Sequence, residues 1–307
     1  MSDIRLFRLS SAKVAEITGS SMALEKPLQH LFEQNLEALL GVRFLASEHE
    51  TTNGRIDTVG LDENNCPVII EYKRHSNENV VNQGLFYLDW LMDHQADFKL
   101  LVMDRDADAA DKIDWSIPRL LCVAADFTRY DVHAVKQMGR NIELIRYRKF
   151  GDDLLMLELL TAATGRVKAR PADTSGQRGE ASRRGKNARK ELVHHIADAS
   201  GAQKERFEAL AEFINSLGDD VQEQHLKFYI AYKRIKNFAC VDLRNQRSVI
   251  LVYVRLNPAE VEFVDGFTRD MTNTSHYGTG DVEITISSDE SLERAKPFIR
   301  KSYETPS

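Results

Sequence analysis

One stretch near the middle of the chain, TAATGRVKARPADTSGQRGEASRRGKNARK at 161–190, cannot belong to a packed core, because it has no aromatic residue, no Leu and no Ile. It carries nine Lys and Arg against two Asp and Glu, a net of +7 in a chain whose net charge is -6. Both flanks are acidic: 18 basic and 26 acidic residues over 1–160, net -8, and 14 basic and 19 acidic over 191–307, net -5. A basic segment that cannot bury apolar surface, set between two acidic ones, predicts a disordered linker joining two folded domains, 1–160 and 191–307. Such a linker reads either as a tether for phosphate backbone or as a solvated spacer.

With 42% hydrophobic and 29% charged residues the chain has the composition of a soluble globular protein. Cys66, Cys122 and Cys240 lie far apart without C-x-x-C spacing, so neither a disulfide framework nor a cysteine zinc site is expected, in keeping with a cytoplasmic location. Met1 to Leu9 is charged throughout, and no window approaches the roughly 18 apolar residues of a membrane span, so no membrane partner is expected. The acidic balance argues against coating nucleic acid by bulk charge, though not against an enzyme that acts on it.

Alternating runs at Ile4–Leu9 and Val14–Thr18 predict a hairpin within residues 1–20. A helix follows over 23–40, stopped by Gly41, then strands at 42–49, 55–61 and 67–73, a helix at 79–93, and strands at 99–103 and 119–124. The order is α-β-β-β-α-β. The central hairpin says most about chemistry. Its turn, rich in Asp, Glu and Asn, centres on Asn64, so paired positions sum to about 128 and Asp57 stands opposite Glu71. Directly opposed residues share a face roughly 5 Å apart, and two carboxylates so placed repel unless a cation lies between them. Alternation puts Lys73 on the same face. Hard oxygen ligands of this kind suit Mg²⁺ or Mn²⁺, and a neighbouring ammonium can hold an attacking water.

In the first helix, at about 100° per residue, the apolar arc from Leu24 to Leu40 is centred roughly 40° from Glu25, with Glu33 and Glu37 about 120° and 160° away. Glu25 is therefore the helical acid expected to point inward, with Glu33 as the substitute should Glu25 face solvent. The competing role for Glu25 is to complement the helix dipole at a frayed start. Gln83 and Tyr87, at i and i+4 on the next helix, share a face and can orient substrate or lysine, or else form a polar edge beside a core stripe.

Together, Asp57, Glu71-Tyr72-Lys73, Glu25 and Gln83-Gly84-Leu85-Phe86-Tyr87 resemble the PD-(D/E)XK nuclease superfamily, and within it the RecB-like branch with its Q-x-x-x-Y motif. The helix text Glu25-Lys26-Pro27-Leu28 is similar to that of the archaeal mismatch endonuclease catalytic domain. The resemblance spans about residues 23–125 and departs from the motif at Ile56, where Pro is usual. It implies an α/β restriction-endonuclease-like core with a mixed sheet, followed by a smaller α+β domain. It also implies cleavage of phosphodiester bonds, in DNA ahead of RNA, with Mg²⁺ or Mn²⁺ held by Asp57, Glu71, the Tyr72 backbone carbonyl and Glu25. Lys73, Gln83 and Tyr87 would assist. A nuclease-like fold can also serve as a non-catalytic binding module, and the sequence leaves homo-oligomers open. A second acid-x-Lys triplet, Asp97-Phe98-Lys99, lacks an opposed acid.

For 191–307 the patterns predict a helix at 202–217 capped by Ser200, a hairpin of 238–243 and 249–256, a strand at 282–287, and a last helix opened by Ser288 or Asp289. This part is similar to an uncharacterised domain found behind such nuclease cores. Tyr229, Tyr232, Lys233, Arg234, Lys236 and Phe238 interleave aromatics with bases, which suits either nucleic-acid stacking or a core with solvated lysines. His194 and His195 lack the spaced acid or Cys of a metal site, and His276-Tyr277-Gly278-Thr279-Gly280 reads as a turn.

Overall fold

The structure is a computed structural model describing residues 4–10, 13–22, 24–52, 54–73, 80–163, 192–274, 276 and 278–305. It divides into two units, Met1–Arg166 and Val167–Ser307. Among the described residues no helix is long and apolar enough to cross a membrane.

The first unit runs β1 (Leu6–Ser10), β2 (Lys13–Ile17), β3 (Gly19–Ser20), α1 (Glu25–Gln34), α2 (Leu36–Leu40), β4 (Val42–Thr51), β5 (Gly54–Asp62) and β6 (Pro67–Lys73). It continues α3 (Val80–Asp93), α4 (Gln95–Arg105), α5 (Ala107–Ala110), β7 (Arg119–Ala124), α6 (Arg129–Gln137), β8 (Asn141–Phe150) and β9 (Leu154–Ala163). A seven-stranded mixed sheet has the order β3-β8-β7-β6-β5-β4, with β9 added along β8, while β1 and β2 form a separate ribbon. β6, β7 and β8 are parallel, which puts their carboxyl ends on one side of the sheet.

The register of β5 on β6 is Thr58↔Ile70, Val59↔Ile69, Gly60↔Val68 and Leu61↔Pro67, so partners sum to 128. The turn is built by Asp62, whose Oδ1 accepts from the N–H groups of Asn64 and Cys66 at 2.8 Å each, with Asn65 left-handed at φ 60. Asp62 Oδ2 in turn takes Arg119 Nη1 at 2.8 Å, and Arg119 also binds Glu143 at 2.7 Å. This buried carboxylate–guanidinium–carboxylate clamp ties the hairpin turn to the starts of β7 and β8.

Three sequence expectations change. The single helix over 23–40 is two, because Asn35 leaves helical geometry at φ -130 and turns its amide back onto the Leu31 carbonyl at 2.9 Å. The strand expected at 99–103 is the middle of α4, where Phe98 and Val102 are buried one helical turn apart; a short apolar run does not by itself separate strand from helix. The decoy triplet Asp97-Phe98-Lys99 is helical with it. The core also continues past 124 through α6, β8 and β9, so Thr161–Ala163 of the expected linker are sheet, and residues 164–191 lie outside the described residues.

The second unit contains α7 (Leu192–Ala197), α8 (Gly201–Asn215), β10 (Gln222–His225), β11 (Ile230–Lys233), β12 (Asn237–Arg244), β13 (Val249–Val254), β14 (Thr268–Asp270), β15 (Val282–Ile286) and α9 (Asp289–Glu304). Its antiparallel sheet has the order β10-β11-β12-β13-β15-β14. Ser200 and Ser288 cap α8 and α9 as their sequence positions suggest. Leu210 and Ile214 of α8 and Leu292, Ala295 and Ile299 of α9 share one apolar core with Val241, Val252 and Ile284 of the sheet. Tyr229, Tyr232 and Phe238 are buried, and so is Lys233, while Arg234 stacks on the Tyr303 ring at 5.0 Å. The aromatics of the interleaved stretch are thus buried and offer no stacking surface. His276 lies flat against Tyr253, with ring centroids 4.5 Å apart, and the side chains of His194 and His195 lie outside the description.

Candidate metal centre

Asp57 and Glu71 sit at the open end of the β5–β6 hairpin, one step beyond its last register pair. The Asp57 N–H donates to Glu71 Oε1 at 3.3 Å, and the Tyr72 N–H donates to Asp57 Oδ2 at 3.0 Å. Side-chain carboxylates thus replace the ladder where the strands begin to part. Glu71 is fully buried, and among the described residues its Oε2 has no hydrogen-bond partner. Burial first, and then the Asp57 charge, push the Glu71 carboxyl up to about 9. Burial also raises Asp57, with the charges of Glu48 and Glu25 adding to it, against the Tyr72 N–H and the Lys73 ammonium. The pair therefore holds a proton at neutral pH, and a cation placed there would displace it.

Lys73, the last residue of β6, brings Nζ within 3.8 Å of Glu25 Oε2. Glu25 opens α1, which packs on the opposite face of the hairpin through Phe32 against Tyr72, ring centroids 5.6 Å apart. Glu25 meets the site across the lysine. Glu33 lies on the other side of β5, accepting from Thr58 Oγ1 at 2.7 Å and Gln29 Nε2 at 3.0 Å, which makes it a bracket between α1 and the hairpin.

Gln83 Nε2 meets Tyr87 Oη at 3.5 Å, and Tyr87 Oη accepts from the Arg55 N–H at 3.2 Å. The pair therefore anchors the start of β5, two residues before Asp57. Gly54, at φ 152, makes room for this contact, since a Cβ there would stand 2.6 Å from the Tyr87 oxygen. Gly84, one helical turn before Tyr87 on α3, makes room in the same way for Leu120 of β7, which a Cβ there would meet at 2.4 Å.

Two further residues escaped the sequence reading. Gln29, buried on α1, donates to the Asp57 carbonyl at 2.8 Å; its signal was its place one helical turn after Glu25. Glu48, left-handed at φ 50 on β4, takes Lys26 Nζ at 2.6 Å and Arg55 at 3.6 Å. Nothing in an alternating pattern marks such a kink.

Among the described residues no three His, Cys, Asp or Glu side chains come together as a metal cluster. The donor set is the Asp57–Glu71 pair, and it fits a hard divalent cation: two carboxylate groups, one with a buried unpartnered oxygen, and the Tyr72 carbonyl between Glu71 and Lys73 in the strand. Mg²⁺ is commonly held by one or two protein carboxylates, with water and phosphate completing the shell.

A family described as a domain of unknown function, DUF5655, matches residues 193–306. An uncharacterized protein of Haemophilus influenzae is 30% identical over 304 residues, covering 98% of this chain and 100% of that protein. Among solved structures, a repair endonuclease from Pyrococcus abyssi matches at 17% identity over 41% of this chain and 49% of that one, with a TM-score of 0.28. An EndoMS–double-stranded DNA complex matches at 20% identity over 41% and 47%, with a TM-score of 0.26. The chain spans about half the length of these two structures, and likenesses of this size say nothing about chemistry.

Proposed function

The chain belongs to the family of the uncharacterized Haemophilus influenzae protein, and we propose that this member is a divalent-cation-dependent nuclease that hydrolyses phosphodiester bonds, in DNA first. The observation that carries the reading is the buried Asp57–Glu71 pair, whose Glu71 is held near 9 and keeps one oxygen unpartnered among the described residues, with the Lys73 ammonium at the end of the same strand.

Bound Mg²⁺ or Mn²⁺ would polarise the phosphoryl oxygens and lower the pKa of a coordinated water. Asp57 and Glu71 would hold the cation, with the Tyr72 carbonyl as a third donor. Lys73 would orient the attacking water and offset charge on the phosphate, while Glu25 limits the lysine's swing. Tyr87 and Gln83 would fix the Asp57 strand through the Arg55 amide rather than touch substrate.

The test is incubation of labelled single-stranded, double-stranded, branched and mismatched DNA, and of RNA, with Mg²⁺ or Mn²⁺, beside Lys73→Ala and Asp57→Ala. Each substitution is expected to lower cleavage by about 10²-fold or more, and a chelator to abolish it. Cleavage that survives either substitution or the chelator overturns the mechanism. Binding without cleavage in the wild type points instead to a non-catalytic module on the same fold.

A further inference from the structure

The edges of the two sheets are treated very differently. A strand at a sheet edge presents a row of unpaired N–H and C=O groups, and proteins blunt such edges with short strands, bulges and charges. β4 has a bulge between Phe44 and Ala46, a kink at Glu48, and Arg43, His49 and Glu50 along it. β3 has two residues, and β10 and β14, the edges of the second sheet, have four polar and three residues, QEQH and TRD. The ribbon strands β1 and β2 have five residues each and carry Arg8, Lys13 and Glu16.

β9 has a bulge at Leu160, which its pairing with β8 skips, but no other of these devices guards its outer edge. It is ten residues long, LLMLELLTAA, without Lys, Arg, Pro or Gly, and among the described residues pairs with β8 alone. Its charge, Glu158, is bound by Arg146 Nε of β8 at 2.9 Å, so it does not guard the edge. Where β8 is buried along most of its length, Leu155–Leu160 of β9 are half-buried and Leu154 is 44% exposed.

We propose that β9 is a dimerisation edge, pairing antiparallel with β9 of a second copy to make one continuous sheet across a two-fold axis. The chemistry of the occupant excludes the other candidates. Nucleic acid needs cationic donors that β9 lacks. The segment that follows β9 is basic, with no Leu, Ile or aromatic residue, and has no apolar strand to offer. The second sheet's short polar edges are no match for eight apolar positions. A second β9 matches in length and in apolar character, with Glu158 of each copy held by Arg146 of its own β8, and an antiparallel strand is complementary to itself. Main-chain hydrogen bonds would supply register, and Leu154, Leu155, Met156, Leu157, Leu159 and Leu160 of both copies the apolar burial. The inference is independent of the nuclease reading.

The test is sedimentation of the full chain over about a hundredfold range of concentration, beside Leu155→Lys/Leu159→Lys and Leu155→Glu/Leu159→Glu. The wild type is expected to be a dimer. Each charged variant is expected to dissociate about hundredfold more readily with an unchanged far-UV spectrum, and an equal mixture of the two to re-associate. Hydrogen exchange on the wild type needs no variant: the outward amides of 154–163 should be protected in proportion to the dimer. A monomeric wild type, a dimer indifferent to both substitutions, or β9 amides whose exchange ignores concentration would each overturn the proposal.

Discussion

The Asp57 N–H reaches the Glu71 carboxylate at 3.3 Å from the adjacent strand, while the Asp57 carboxylate takes the N–H of the residue after Glu71 at 3.0 Å. Two acids that would repel are thereby locked face to face by backbone donors, at a point where the hairpin ladder has ended.

Cation binding to this pair should release a proton. Glu71 sits at about 9, so it is protonated at pH 7, and a cation on its carboxylate makes the ionised form the stable one. Titration calorimetry with Mn²⁺ at pH 7, in buffers of different ionisation enthalpy, should report about one proton released by the wild type and almost none by Glu71→Gln.

The same group sets a pH dependence of stability without cation. Its folded pKa is raised above the ordinary carboxylate value, so between about 4.5 and 9 the folded chain binds a proton that the unfolded chain has lost. Stability should therefore fall as pH rises through that window, by up to about 1.4 kcal/mol per unit from this group. Urea denaturation at pH 6 and 8.5 with chelator measures it; Glu71→Gln should flatten the slope, and Mg²⁺ should restore stability at the higher pH.

Tyr87→Phe removes the hydroxyl that receives the Arg55 N–H. The expected cost is about 1 kcal/mol of stability, together with about tenfold lower cleavage through a misplaced Asp57. The loss should appear in kcat more than in KM, and a drop confined to thermal stability would remove the positioning role.

Arg119 is buried between Asp62 and Glu143. Arg119→Met leaves two buried carboxylates without their cation, an expected loss of about 3–5 kcal/mol in denaturant titration. Adding Asp62→Asn and Glu143→Gln should recover a large part of it, because the penalty lies in the uncompensated charge.

Gly84→Val drives a branched side chain into Leu120, which already stands 2.4 Å from a Cβ at that position. An overpacking cost of about 1–3 kcal/mol is expected, read as a lowered melting temperature. The paired change Gly84→Ala with Leu120→Ala should be milder than Gly84→Val.

How much of this was legible in the chain divides along physical lines. Local rules sufficed for β6 at 67–73, for the caps Ser200 and Ser288, and for the 128 register that brings Asp57 opposite Glu71, because each depends on alternation or a turn within a few residues. They failed at 99–103, where a four- or five-residue apolar run is compatible with either period and only packing of Phe98 and Val102 chose helix. They were silent on Gln29, Glu48 and the Arg119 clamp, whose partners lie 28, 22 and 57 residues away along the chain.

The sequence by itself determined which strands carry acids on which face, and that a basic stretch stands between two acidic ones. Tertiary structure alone decided how dry the carboxylate pair is, hence that Glu71 keeps its proton, and that Glu25 meets the site through Lys73. It also decided that β9 lies at an edge rather than inside the sheet. Alternation and turns are read over a few residues, whereas burial and edge position depend on neighbours brought together from the rest of the chain.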